Sequence, residues 1–219
     1  MAIKFNEYWN IIPDHADEYV EFLRLHRIPT MNRMGMNIVA MWSSLIGASP
    51  QIISVGVSED LECCERVLKS KEYSQLTAQL LSYVADYRSK VLIATPRFPH
   101  LPRGSEKGPV KLSQYWDIIP GKEKEYDEFI REEHFPAMND LGIEVIGEWK
   151  VLVGESPNIF YEARANDERQ LVHALTSQKF RHLKYKLLQL VTNYSSRILV
   201  YHAQKLRARG SVDYEFFLV

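Results

Sequence analysis

The stretch Tyr8-Trp9-Asn10-Ile11-Ile12-Pro13 returns 107 residues later as Tyr115-Trp116-Asp117-Ile118-Ile119-Pro120. At that offset Pro29-Thr30-Met31-Asn32 falls on Pro136-Ala137-Met138-Asn139, and Gly35 on Gly142. Trp42 falls on Trp149, Gly47-Ala48-Ser49-Pro50 on Gly154-Glu155-Ser156-Pro157, and Tyr87 on Tyr194. No gap is needed from Lys4 to Thr95, and about a third of the paired positions are identical. The chain is a tandem duplication, so its 219 residues are two small units rather than one mid-sized domain.

The first repeat spans residues 1–95 and the second 110–203. Between them, residues 96–109 are rich in proline and glycine, which excludes regular structure and marks a linker. Residues 204–219 form a tail with no counterpart in the first repeat. It ends in the apolar run Tyr214-Glu215-Phe216-Phe217-Leu218-Val219, which is expected to dock and offers a route to a homo-oligomer.

Each repeat reads as strand, helix, strand, strand, helices, strand. Residues 3–12 are aromatic and β-branched and end at Pro13, as a strand does. Asp14 is placed as a helix cap, with Tyr19, Phe22 and Leu23 on one face and Pro29 as the stop. Residues 36–46 and 51–58 are strands. A short helix from Asp60, a longer one from Lys71 to Tyr87 and a strand over 89–95 follow. This β-α-β-β-α-β order is the ferredoxin-like unit, an α+β arrangement with helices on one sheet face. Two units on one chain cover their bare faces by packing sheet to sheet, giving an intrachain α+β barrel.

Composition narrows the function. Lys plus Arg is 27 against 28 Asp plus Glu, a net charge of −1, so no basic face is expected for nucleic acid or an anionic membrane. No apolar run is long enough to span a bilayer, and the N-terminus lacks a signal-peptide pattern. The two cysteines, Cys63 and Cys64, are adjacent and imply no disulfide framework. A cytoplasmic protein is expected.

The sequence resembles the dimeric α+β-barrel superfamily, and within it NIPSNAP-like proteins most closely. The resemblance is carried by Pro120-Gly121-Lys122, by Gly142-Ile143-Glu144-Val145-Ile146-Gly147-Glu148-Trp149, by Gly154-Glu155-Ser156-Pro157-Asn158 and by the segment Arg181 to Leu199. It implies the fold, and relatives that include cofactor-free monooxygenases, haem-degrading oxygenases, chlorite-dismutase-like haem proteins and isomerases.

A ligand in this fold is expected between the sheet and its helices. Stepping the first helix at about 100° per residue from Tyr19 sets His26 amid Phe22 and Leu23. The same arithmetic from Tyr126 sets Glu133 inward, with His134 at the margin. Glu133, His134 and Glu148 are the catalytic candidates, because perturbed histidines and carboxylates titrate usefully near neutral pH. His26, Trp116, Trp149, Tyr161 and Arg164 are the ligand-binding candidates. Glu162 and Arg164 share a strand face and are expected to pair with each other or with Glu148; otherwise these charges line a solvated or inter-sheet face. The recurring aromatics read equally as core. Asn32 and Asn139 precede glycines by three residues and read as helix caps.

The reading is a protein binding a small apolar or aromatic molecule, with cofactor-free oxygenase-like chemistry. No metal or cofactor is required. A non-catalytic scaffold and a haem-binding protein are the alternatives. His173 and His182 read as solvent-facing, which leaves His134 or His202 for a haem.

Overall fold

The computed structural model describes residues 3–47, 50–98, 110–207 and 214–218, with side chains as far as Tyr201. The first repeat runs β1 (Ile3–Ile11), α1 (Ala16–Phe22), a π-helical turn (Leu23–Arg27), α2 (Ile28–Met34), β2 (Asn37–Ile46), β3 (Ile52–Ser58), α3 (Leu61–Leu68), α4 (Lys71–Leu80) and β4 (Val84–Ala94). The second repeats it with β5 (Val110–Ile118), α5 (Glu123–Phe129), a π-helical turn (Ile130–His134), α6 (Phe135–Asp140), β6 (Glu144–Val153), β7 (Ile159–Ala165), α7 (Glu168–Thr176), α8 (Gln178–Leu188) and β8 (Val191–Arg207). A final strand, β9 (Tyr214–Leu218), lies antiparallel on the end of β8, from Ala203 opposite Leu218 to Arg207 opposite Tyr214. The tail's backbone therefore pairs within its own chain. The side-chain docking expected of it lies outside the described residues, as do residues 99–109 of the linker.

The strands run in the order β2-β3-β1-β4-β6-β7-β5-β8, and β8 pairs back with β2. This closes an eight-stranded antiparallel barrel. The two seams between repeats are equivalent: β4 meets β6 around Ala94 and Trp149, and β8 meets β2 around Tyr201 and Trp42. The tandem pair of ferredoxin-like units is thus an α+β barrel built within one chain.

Strand parity sorts the side chains into two compartments. From β1, Ile3, Phe5 and Trp9 face the helices, while Tyr8 joins Trp42, Ile53, Val55 and Leu199 inside the barrel. From β5, Val110, Leu112 and Trp116 face the helices, and Tyr115 joins Leu92, Trp149, Val151 and Phe160 inside. Each repeat ties its first strand to its first helix in the same way. The Trp9 indole N–H donates to the Tyr19 hydroxyl at 3.0 Å, and that of Trp116 to Tyr126 at 2.9 Å.

Three helix boundaries differ from the sequence reading. Pro29 does not end a helix; it sits in the first turn of α2, and Gly35 (φ 103°) is the terminator. A proline ring excludes the carbonyl four residues back and supplies no N–H. The π turn just before it, in which the Ile28 N–H reaches the Leu23 carbonyl five residues back, widens the helix at that point. Asp14 likewise sits inside a short 3-10 turn (Pro13–His15) rather than capping α1. At the other end, Leu80, Val84 and Tyr87 fall at helical spacing, yet α4 stops at Leu80 and the latter two belong to β4. Asp86 bends that strand at φ 56° and its carboxylate accepts from the Asn10 amide at 2.8 Å. Asn32 does cap its helix end: its side-chain oxygen accepts from the Ile38 N–H at 2.7 Å.

No helix among the described residues is long and apolar enough to cross a membrane.

Candidate functional site

The π turns decide which polar residues face inward. One extra residue per turn shifts everything after it by one position, so a uniform step of about 100° fails there. His26 and Glu133, both expected on the inner face, are exposed. Glu133 instead pairs with Lys186 at 2.5 Å on the surface. The residues turned inward are their neighbours Arg27, 2 % exposed, and His134, 1 % exposed.

These two equivalents meet different surroundings. In the first repeat the Arg27 guanidinium donates to the Glu7 carboxylate at 2.5 Å. The Tyr87 hydroxyl donates to the same oxygen at 2.6 Å, and Tyr73 bonds Tyr87 at 2.9 Å. Burial disfavours the Arg27 charge, but Glu7 and the tyrosines hold its pKa above the ordinary value. In the second repeat Glu7 is replaced by Gln114 and Arg27 by His134. The Gln114 amide donates to the Tyr194 hydroxyl at 2.5 Å, and among the described residues no carboxylate pairs with His134. Burial alone pushes the His134 pKa down to about 4, so the imidazole is neutral near pH 7.

His134 lies edge-on to Tyr161, with ring centroids 5.2 Å apart, and against Phe129 and Phe135. Tyr161 tilts against Trp116 at 5.6 Å, and Trp116 stacks on Tyr194 at 6.2 Å. Among the described residues, His134 Nδ1, the Tyr161 hydroxyl and Gln114 Oε1 have no hydrogen-bond partner, although all three side chains are buried. Burial, with the Glu148 charge and Tyr194 adding, drives the Tyr161 hydroxyl well above the ordinary phenol range.

Glu148 enters the same compartment through a bulge. The register of β6 on β7 shifts between Val145 and Gly147, which flips the parity and turns Glu148 toward the helices. There it is fully buried and accepts from Thr95 at 2.8 Å, Arg97 at 2.5 Å and Tyr126 at 2.8 Å. Arg97 and Phe98, from the start of the linker, thus form part of this wall, with Phe98 edge-on to Phe135 at 5.8 Å. Sequence reading missed Gln114, Tyr126, Tyr194 and Arg97. The repeat alignment held the signal for Gln114, since Glu7 and Arg27 are both charged and both lose their charge near neutral pH in the second copy.

His134, Glu148, Trp116 and Tyr161 therefore gather between helices and sheet, and the other candidates do not. Arg164 sits at the rim and pairs with Glu144 at 2.7 Å, not with Glu162 or Glu148. Trp149 faces the barrel interior, where its N–H donates to Glu162 at 2.7 Å. Glu162 lies opposite Gly147 in the ladder, one residue out of register with Glu148, so those carboxylates occupy different compartments. Inside the barrel Glu162 is paired with both Lys4 and Lys111, equivalent lysines from the two repeats. Lys4 lies 4.6 Å from the Trp149 ring centroid and Lys111 4.8 Å from that of Trp42, contacts that stabilise the extra cation. Burial opposes the Glu162 charge, but Lys111 and Lys4 outweigh it and hold the pKa at about 2.

Among the described residues no histidine fits a haem. His134 is walled in by three aromatic rings, and His173 and His182 are exposed. The side chain of His202 lies outside the described residues. No group of three or more His, Cys, Asp or Glu among the described residues could hold a metal ion.

No protein-family model and no curated protein matches the chain. Solved structures do match over nearly its whole length. A provisionally assigned monooxygenase from Fusobacterium nucleatum aligns at 14 % identity and a TM-score of 0.63, covering 98 % of this chain and 97 % of its own. An anthrone oxidase-like protein aligns at 9 % identity and 0.62, covering 91 % and 90 %. A haem-binding protein from Thermus thermophilus aligns at 8 % identity and 0.52, again covering 91 % and 90 %. Identities this low speak for the fold alone. The chain has the fold of the dimeric α+β-barrel proteins, with both units on one polypeptide.

Proposed function

We propose that this chain is a NIPSNAP-like protein that binds a small apolar or aromatic molecule between the helices and sheet of its second repeat. There it performs cofactor-free, oxygenase-like chemistry. The observation that supports this is the set of partnerless buried atoms, His134 Nδ1, the Tyr161 hydroxyl and Gln114 Oε1, set among aromatic rings. Each such atom costs about 1–3 kcal/mol of folding stability unless something meets it. The first repeat spends the equivalent positions on an ion pair, Glu7 with Arg27.

The chemistry follows from the residue types. Neutral His134 accepts a proton from an electron-rich hydroxyaromatic at a carbon beside its ring. The resulting carbanion reacts with dioxygen. One oxygen atom stays as a carbonyl, and the other leaves with two hydrogens as water. Tyr161, a phenol that stays protonated, donates to the developing oxyanion. Glu148, already satisfied by three donors, positions Tyr126 and Arg97.

The test is oxygen uptake with anthrone and calorimetric titration with 1-naphthol. His134→Gln is expected to lower turnover about a hundredfold or more. Tyr161→Phe is expected to weaken both binding and turnover, with melting unchanged or raised. Neither heat nor oxygen uptake in the wild type, or variants that behave like it, would rule the reading out.

A further inference from the structure

A cavity lies at one end of the barrel, apart from the helix–sheet site. Its volume is about 250 Å³. Equivalent residues of the two repeats line it in pairs: Tyr8 with Tyr115, and Lys90 with Arg197. The cavity therefore sits on the axis that relates the repeats. Arg88 adds a third cation, and Glu155 is the one acidic residue among the described residues of the lining.

Three features set these cations toward a shared space. First, glycines give them room. A Cβ at Gly154 would lie 2.9 Å from Lys90 Cγ, and one at Gly47 would lie 2.8 Å from Arg197 Cγ. In each repeat the β2–β3 or β6–β7 hairpin thus yields to the cation from the other repeat's last strand. Second, the nearby Asp117 carboxylate makes its hydrogen bonds to neutral groups rather than to these cations. The Asp117 carboxylate accepts from Ser156, from Asn158 and from Asn193. Lys90 is held by the backbone carbonyls of Glu155 and Pro157 rather than by a carboxylate. Third, the cations repel one another. Burial lowers the Lys90 pKa first, Arg88 and Arg197 lower it further, and Asp117 and Glu155 do not restore it. The tyrosines form the floor, each 4 % exposed, with the Arg197 guanidinium 5.1 Å from the Tyr115 ring centroid.

We propose that this barrel-end cavity binds a small dianionic oxyanion, phosphate or a phosphomonoester, between Arg88, Lys90 and Arg197. Among the described residues the lining carries three positive charges against one negative, an excess that attracts a multiply charged anion. Arginine forks suit tetrahedral oxyanions because they donate two parallel N–H groups. The volume exceeds that of phosphate alone, which leaves space over Tyr8 and Tyr115 for a small organic group.

The experiment is calorimetric titration of the full chain with inorganic phosphate and with phenyl phosphate, against sodium chloride at equal ionic strength. One saturable site is expected. Arg88→Gln and Arg197→Gln should each weaken it about tenfold or more, since each removes a charge-assisted contact. Arg33→Gln, outside the cavity, should leave it unchanged. Arg88 is exposed, so its variant folds even where Arg197→Gln does not. Tighter binding of phenyl phosphate supports a phosphomonoester, and tighter inorganic phosphate supports the free ion. The proposal is overturned by the absence of saturable phosphate binding. It is equally overturned if Arg88→Gln binds phosphate as well as the wild type.

Discussion

Arg27 and His134 occupy the same place in the two repeats, each turned inward by a π-helical turn, but only Arg27 meets a carboxylate. The consequence is an ion pair at this buried position in one half and a neutral imidazole in the other.

Breaking the ion pair should be costly. Arg27→Ala leaves Glu7 buried without its cation, and a loss of about 3–5 kcal/mol is expected in urea denaturation. The double variant Glu7→Gln, Arg27→His copies the second repeat into the first. It should lose clearly less, because no charge is stranded. A double variant no better than Arg27→Ala would contradict this account of the ion pair.

His134 should make stability depend on pH in a defined window. Its folded pKa, about 4, lies below the unfolded value near 6.5, so the unfolded chain binds more protons between them. The contribution is complete above about pH 6.5 and is lost as pH falls toward 4, at most about 3 kcal/mol. His134→Phe should flatten that part of the stability profile. Chemical denaturation from pH 7 to pH 4 measures it.

Glu162 acts in a lower window. Its folded pKa, about 2, lies below the ordinary value of 4.5, so its contribution is present above 4.5 and is lost as pH falls toward 2. At neutral pH, Glu162→Ala strands Lys4 and Lys111 inside the barrel and should cost about 3–5 kcal/mol. Replacing all three residues by methionine should recover most of that loss, as apolar substitutes for buried ionic clusters often do. Recovery below half would argue that the cluster contributes more than its own neutralisation.

Two glycines separate backbone strain from contact. Gly121 and Gly154 both have positive φ, 87° and 129°. Nothing lies within 4 Å of a Cβ at Gly121, whereas at Gly154 it would meet Lys90 Cγ at 2.9 Å and the Ser89 carbonyl oxygen at 3.1 Å. Gly121→Ala should cost about 1 kcal/mol from conformation alone. Gly154→Ala should cost distinctly more, read as a larger drop in Tm.

The repeat made the fold legible. A 107-residue offset without gaps, alternating strands and a proline-rich linker lead directly to paired ferredoxin-like units and a closed barrel. Site geometry was less legible, because two local departures from regular periodicity govern it. The π turns moved Arg27 and His134 to the positions that uniform helical spacing gives to His26 and Glu133. The bulge in β6 put Glu148 beside Tyr126, a contact that strict alternation and register do not show. Each π turn precedes a proline, Pro29 and Pro136, but that proline alone reads as a helix stop, and the bulge leaves no comparable trace. Both depend on backbone hydrogen bonds that only the folded chain reveals.

The barrel's two seams join units that the linker of residues 96–109 keeps together. A barrel of separate subunits comes apart on dilution, and both its halves carry one sequence. A short tether holds the second unit at an effective concentration of about the millimolar range, whatever the protein concentration. The halves of this chain are thus free to diverge. One carries an internal ion pair where the other carries a neutral histidine, a difference that a symmetric dimer of identical chains lacks.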